Sequence, residues 1–493
     1  MSIEDAMWSN SRTSRLSRRE LFSRLGDGAY GAALSYLLAG DLASSASLLA
    51  ASAEQTVPGL DSKSPHFEPK AKAVIQLFMS GRPSQMDLFD PKPLLEKHAG
   101  EPPPPSALDS QQRLNRVAGS LMPTQFKFAK YGKAGIDVSE LLPHLATRVD
   151  DMAVVRAMYT THSNHEPAIF LMHTGRLLPG RPTLGAWVAY GLGSENQNLP
   201  TYVVLEDPTG LPRCGIQNWQ SGWLPPVYQG TRLRSQGSPL PNLKPREEFP
   251  GPVLQVAKSL LGRMDMAHRE RHPGEAELGA RIHSYELAAR MQLEATDVLD
   301  VSQESQTTRG MYGLDDQLTA SYGRRCLMAR RLVERGVRIV QIYMNHDPWD
   351  HHFEIWKGLP ETCGMTDRPV AALLQDLKQR GLLESTLVLW GGEFGRLPHS
   401  EIPKDAKRVG RDHNMHAFTV WLAGGGIKGG TVHGTTDELG YRGIENRVSV
   451  HDLHATVLNQ LGLNARDLIY KRNGRAERLT DEFPARVVKE ILS

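Results

Sequence analysis

Cysteine is scarce in this chain: three residues in 493, Cys214, Cys326 and Cys363, lie far apart. They form no CxxC pair, and an odd number cannot pair completely within one chain, so neither a cysteine zinc site nor a disulfide framework holds the fold. An excess of one charge is also missing. Lys+Arg number 57 and Asp+Glu 55, a formal net charge of +2, which lacks the basic surplus of a dedicated nucleic-acid binder. Beyond the amino-terminal stretch no segment reaches the roughly 18 consecutive apolar residues of a membrane span, so no span is expected in the mature chain. No internal repeat is visible. What is there is ordinary globular composition, 40% apolar and 23% charged, which excludes wholesale disorder, collagen and coiled coil. The unusual component is histidine: 18 residues, nine of them between His346 and His454.

The amino terminus reads as an address. Ser17-Arg18-Arg19-Glu20-Leu21-Phe22 is a twin-arginine pattern, with Arg12, Arg15 and Arg24 around it. A mildly apolar run from Gly28 to Ala53, broken by Asp41, ends in the small residues Ala51-Ser52-Ala53. A basic region, a weak apolar region and a small-residue cleavage site are the parts of an export signal. Residues 1–53 are therefore expected to be a twin-arginine signal and the protein to be exported, periplasmic or extracellular. The plainer alternative is an amphipathic helix of the mature protein. Residues 54–70, polar with scattered prolines, read as a linker.

Residues 71–493 are expected to form one α/β domain. Buried strands are predicted at Ala73–Met79, Met152–Met158, Thr201–Leu205, Val337–Met344, Thr386–Trp390 and Phe418–Ala423, each an apolar run too short for a helix. Helical patterns lie between them, for example Ala371–Arg380, and residues 254–334 read as a helical insertion packed on the sheet. Strands alternating with helices predict a mainly parallel central sheet flanked by helices. In such sheets the chemistry lies beyond the carboxyl ends of the strands.

Four polar clusters fall at those places. After Met344 comes Asn345-His346-Asp347-Pro348-Trp349-Asp350-His351-His352, with five potential ligands in the seven residues from His346. Carboxylate with imidazole is the ligand set for zinc, manganese or iron; the alternative is a solvated loop. After Trp390, glycines flank a lone carboxylate in Gly391-Gly392-Glu393-Phe394-Gly395-Arg396, placing Glu393 as a ligand or general acid/base, or else as a helix-capping partner of Arg396. Gly410-Arg411-Asp412-His413-Asn414-Met415-His416 precedes the last strand and enters the site from a strand's start. Thr161-His162-Ser163-Asn164-His165-Glu166 opens a helix whose free N–H groups could stabilise an anion; alternatively Ser163 and Glu166 form a capping box.

These clusters, in this order, resemble the bacterial family catalogued as domain of unknown function 1501. The resembling segments are Met79–Pro93 (MSGRPSQMDLFDPKP), Thr161–Gly175, Gly215–Gly230, Tyr285–Gln292, Arg325–Val337 (RCLMARRLVERGV), Pro348–His352, Gly391–Pro398 (GGEFGRLP) and Gly410–Asp437. The resemblance implies an alkaline phosphatase/sulfatase-like fold. It also implies departures. In sulfatase-like enzymes the nucleophile starts a helix nine residues before Thr-Gly, and counting back from Thr174 lands on His165, with Ser163 and Thr161 out of register. Where an Asp-His or Asp-Asn pair is expected stands Glu393-Phe394. Where the first Asp is expected stands Met79-Ser80-Gly81, with Asp87 the nearest carboxylate. Asp350 with His352, or Asp347 with His351, and His413 match the remaining metal half.

One divalent ion, zinc or manganese, is therefore expected rather than two, on Asp350, His352 and His413 with Asp347 and His351 as the alternative pair. His165, Glu393 and Arg411 are the catalytic candidates, and Arg82 and Arg396 the anion-binding ones. His165 is expected to face the metal ligands across a gap wide enough for a tetrahedral anion. Three functions fit. The first is an exported metal-dependent hydrolase of phosphate or sulfate esters, small molecule or glycan, working by water activated at the metal rather than a covalent intermediate. The second is an inactive exported protein that binds a sulfated or phosphorylated glycan or a partner protein. The third is another metal enzyme, such as a mutase or lyase. The signal generates the first test: changing Arg18 and Arg19 together to Lys should leave uncleaved precursor in the cytoplasm on fractionation, and normal processing of that double variant would remove the twin-arginine reading.

Overall fold

The computed structural model describes residues 60–106, 118–237, 251–272, 278–279, 281–282, 287, 291, 298–345, 347–401 and 408–493. The signal expected over 1–53, the first part of the linker and His346 lie outside the described residues. The chain divides into two compact units, Met1–Thr56 with Pro245–Glu275 and Val57–Lys244 with Ala276–Ser493. In the first, the described residues form one helix, Gly251–Arg271. The stretch expected as a single insertion over 254–334 is thus divided between the units. No helix among the described residues is long and apolar enough to cross a membrane.

The second unit is built on a nine-stranded sheet. Its strands are β1 Ala73–Phe78, β2 Met152–Tyr159, β3 Tyr202–Leu205, β4 Thr231–Leu233, β5 Ile339–Tyr343, β6 Thr386–Gly391, β7 Phe418–Ala423, β8 Thr431–His433 and β9 Val448–Ser449. The spatial order is β8-β2-β7-β6-β1-β5-β3-β4, with β9 also on β2. The six predicted strands are all present, with ends displaced by no more than two residues. β4, β8 and β9 are two or three residues long, too short to leave a periodic signal.

Every residue of β1, β5 and β6 is buried, as both faces of the sheet are covered. Side chains alternate between two cores. Ile75 and Leu77 of β1 join Leu327 and Leu332 of α3 (Ala320–Glu334) and Leu373 and Leu377 of α4 (Ile355–Gln379). Val74 and Phe78 join Ile169 of α1 (His165–Thr174), Trp187 and Val188 of α2 (Leu184–Leu192) and Leu453 and Val457 of α5 (Val450–Gln460). The result is a helix–sheet–helix sandwich, the α/β class expected.

α4 is longer than the pattern at 371–380 predicted. It runs through Pro360 and Pro369, residues that remove a helical hydrogen bond each. Burial of Leu359, Cys363, Thr366, Val370, Leu373, Leu374 and Leu377 at helical spacing holds it together across both.

Strand direction positions the site. β1 is parallel to β5 and β6, with Phe78 level with Tyr343 and Gly391, so the carboxyl ends of all three lie together. β7 alone runs against its neighbours, pairing Phe418 with Met158 of β2 and Trp421 with Trp390 of β6. Its start therefore lies on the same edge as the other strands' ends. Because Leu373 is fully buried between α4 and the sheet, Leu373→Ala should lower stability by about 2–5 kcal/mol. Chemical denaturation reads this as a lower midpoint at unchanged slope, and an unshifted midpoint would contradict the packing described.

Candidate functional site

Loops from four strands meet at that edge. After β1, Gly81 takes φ +94, and a Cβ there would lie 2.6 Å from the Asp350 backbone nitrogen. Only glycine lets the β1 and β5 loops approach this closely. Arg82 follows with φ 77, a left-handed conformation that costs a residue with a side chain about 1–3 kcal/mol and is held only where its surroundings dictate it. A Cβ at Gly410 would lie 2.1 Å from the His352 carbonyl group, which presses the loop before β7 against Asp350–His352. α1 begins at His165 after β2. Its cap is Asn164, without a side-chain bond, so the capping box weighed for Ser163 does not form.

His165, Asp350, His352 and His413 offer ligand atoms that all lie within 4.8 Å of one another. His413 Nδ1 lies 2.6 Å from the Ser163 carbonyl. A carbonyl can only accept, so Nδ1 carries the proton and Nε2 presents a lone pair. His352 Nδ1 is held likewise, 2.8 Å from Glu401 Oε1. The two Nε2 atoms face each other at 2.6 Å, and Asp350 Oδ1 lies 3.1 Å from that of His352 and 3.8 Å from that of His413. So close an approach of two imidazole nitrogens requires a proton on one of them, which the carboxylates beside His352 place on its ring, or a cation between them. The side chains are 9–24% exposed, so the cluster is reachable from solvent.

The protonation states follow from these contacts. Burial, then the charges of Arg82, Arg396 and His352, pulls His413 down to about 2 against the pull of Asp350, leaving it neutral. Burial also opposes protonation of His352, but Asp350 and Glu401 outweigh it and raise the ring to about 9. Burial disfavours ionised Asp350, yet bonds from His165, His352 and His413 and the charge of Arg396 hold it well below the usual carboxylate range. Burial opposes charge on His165 too, and is outweighed by Asp350 and Glu393, so its pKa rises.

Beside the cluster lies Arg82, fully buried. Its Nη2 is 3.1 Å from Asp350 Oδ1 and 3.0 Å from His165 Nδ1, and its Nε is 3.4 Å from Glu393 Oε1. The guanidinium carbon sits 3.6 Å over the Phe394 ring. Burial first, then Arg396, lowers its pKa to about 9, still charged at neutral pH. Its Nε and Nη1, and Glu393 Oε2, have no hydrogen-bond partner. His165 bridges the carboxylates, Nδ1 at 3.0 Å from Glu393 Oε1 and Nε2 at 3.0 Å from Asp350 Oδ2. The gap expected between His165 and the metal ligands is therefore closed. Arg396 Nη2 binds Asp350, the Gly81 carbonyl at 2.7 Å and the Trp349 carbonyl at 3.1 Å, and Nη1 binds the Arg411 carbonyl at 2.7 Å. It braces three loops as well as facing Asp350.

Three expected residues lie apart. Arg411 forms a fully buried ion pair with Asp87, Nε to Oδ2 at 2.8 Å and Nη2 to Oδ1 at 3.2 Å, directing its charge away from the cluster. Asp347, at φ 46, is held by Arg213 at 2.6 Å. The His351 ring lies against Gly358 of α4, and burial with the Arg396 charge lowers its pKa to about 4. Sequence reasoning missed Glu401 and Asp412, which with His352 form a second ligand group. It also missed the carbonyl of Ser163 as the anchor of His413. Glu401 becomes visible only through the antiparallel pairing of Gly395–Glu401 with Arg411–Asn414.

Residues 71–492 match the family described as "Protein of unknown function (DUF1501)", and the chain belongs to it. Among solved structures, the chain is similar to the PsFucS1 sulfatase from Pseudoalteromonas sp. (12% identity, 80% of this chain and 68% of that one, TM-score 0.35). It is also similar to the lipoteichoic acid synthase LtaP from Listeria monocytogenes (10%, 84% and 78%, 0.34), and to alkaline phosphatase from the Antarctic bacterium TAB5 (10%, 80% and 99%, 0.33). At such identities these likenesses bear on no side chain of the cluster. No curated protein matches the chain.

The Asp87–Arg411 pair generates a test of role. Arg411→Ala leaves a buried carboxylate uncompensated and should cost about 3–5 kcal/mol, in chelator-treated and untreated protein alike. A variant as stable as the parent in unfolding experiments would return Arg411 to the candidate catalytic groups.

Proposed function

We propose that this chain is an exported metal-dependent hydrolase of phosphate or sulfate esters with a non-standard active site. The observation that carries the reading is the pair of imidazole Nε2 atoms 2.6 Å apart, each ring pinned through Nδ1, beside the Asp350 carboxylate and a buried arginine with unused N–H groups. Two imidazoles and a carboxylate suit one zinc or manganese ion, and three protein ligands leave a position open. When bound, such an ion supplies Lewis-acid polarisation of an ester oxygen and a lowered pKa for water.

The chain's own groups divide the remaining work. Arg82 Nε and Nη1 are the donors for the oxygens of an anionic group, at the planar, fork-like geometry that suits phosphate and sulfate. His165, raised in pKa and held at both nitrogens, is the proton donor to the leaving oxygen. Glu393 keeps the ring oriented through Nδ1. The substrate class is an anionic small molecule or glycan ester.

Metal analysis of purified mature protein, paired with assays on aryl phosphate and aryl sulfate, tests the assignment. His352→Ala and His413→Ala should lose the ion. His165→Ala should keep it and lose about 10²–10⁴ in rate. Loss of the ion from His165→Ala would make His165 a ligand, and parent protein holding the ion without releasing phosphate or sulfate would favour the binding-protein reading.

A further inference from the structure

We infer that Arg82 is a resident cation that keeps a second divalent ion away from the Glu393 side of the cluster, an inference that rests on the metal site proposed above. Glu393 and His165 present a carboxylate oxygen and Nδ1 side by side, 3.0 Å apart. The Arg82 guanidinium lies on both, 3.0 Å from Nδ1 and 3.4 Å from Oε1, and touches Asp350 at 3.1 Å. Glu393 has no solvent exposure, and its second oxygen is unpartnered. A buried carboxylate requires a compensating charge, and the only cation in contact with Glu393 besides the His165 ring is Arg82 among the described residues.

The position of that charge is not adjustable. Arg82 is anchored in a left-handed backbone conformation at the end of β1. A Cβ at Gly392 would lie 3.3 Å from the Arg82 Cα, so the β6 loop closes over it. Its guanidinium is stacked on Phe394, leaving the side chain no room to swing out. A fixed guanidinium neutralises Glu393 and repels any divalent ion approaching the same oxygens, since like charges a few ångströms apart in a desolvated site interact strongly. It also offers N–H groups to an anion, which an ion-free pair of carboxylates would repel.

Removing this charge leaves Glu393 with only the His165 ring, which it shares with Asp350, unless a cation is captured. With His165 Nδ1 and Asp350 adjacent, capture is expected. The experiment is zinc content per chain, by mass spectrometry of full-length mature protein equilibrated with zinc and desalted. Arg82→Ala and the similarly sized neutral Arg82→Gln should each hold about one more equivalent than the parent, whereas Arg82→Lys, which keeps the charge, should match the parent. Adding Glu393→Gln to Arg82→Gln should return the content to the parent's. Using two neutral variants keeps the test alive should one fail to fold by circular dichroism. A folded neutral variant with the parent's zinc content overturns the inference and leaves the proposed metal site standing. So does an increment that survives Glu393→Gln. A parent protein that holds no zinc, manganese or iron overturns the metal site and this inference together.

Discussion

Side chains from four separate segments converge on the carboxylate of Asp350. Arg82, Arg396 and His352 reach one oxygen and His165 the other. An ionised carboxylate removed from water requires this density of donors, and supplying them forces the ends of β1 and β5, the loop after β6 and the start of α1 into a single cluster. Arg396 extends the constraint through its bonds to three backbone carbonyls, so the loop before β7 is fixed by the same charge. The sheet sets which loops can meet, and Asp350 sets where.

That arrangement uses one reversed strand. Were β7 parallel like the rest, its start and His413 would lie at the opposite edge from His352. Running against β2 and β6, it delivers a ligand from before a strand to join ligands from after strands. The tie from His413 to the Ser163 carbonyl then couples β7 to the segment that opens α1, so each imidazole ligand is oriented by a different partner, one a peptide carbonyl and one a carboxylate.

Much of this was legible in the chain because strands buried on both faces are written as short apolar runs. The positions of Ala73–Phe78, Thr386–Gly391 and Phe418–Ala423 follow from that alone. Asp350 and His352 flank His351, and in this turning loop both reach the cluster while the His351 ring turns to Gly358. The tight turns from the Asp347 carbonyl to the His352 N–H set these directions and separate the pair from Asp347 and His351. Arg411 could not be sorted in the same way. Its partner Asp87 is 324 positions away, and no local pattern marks a buried cation as structural. The closed approach of His165 to Asp350 was equally hidden, as it depends on the loop geometry permitted by Gly81. Glu401 lies in a hairpin whose register no propensity fixes.

The place of β7 has a consequence for how the molecule is made. β7 comes late in the chain, after six of the nine strands, yet it sits between β2 and β6 rather than at a margin. Until residues 418–423 have emerged and found their place, β2 and β6 have no partner between them, and each presents an unpaired edge. Contacts this distant in sequence close slowly. A nascent chain therefore holds β2 without any sheet partner from residue 159 until residues 418–423 arrive, and His413, placed just ahead of the strand that joins β2 to the rest, reaches the other three only as that strand docks.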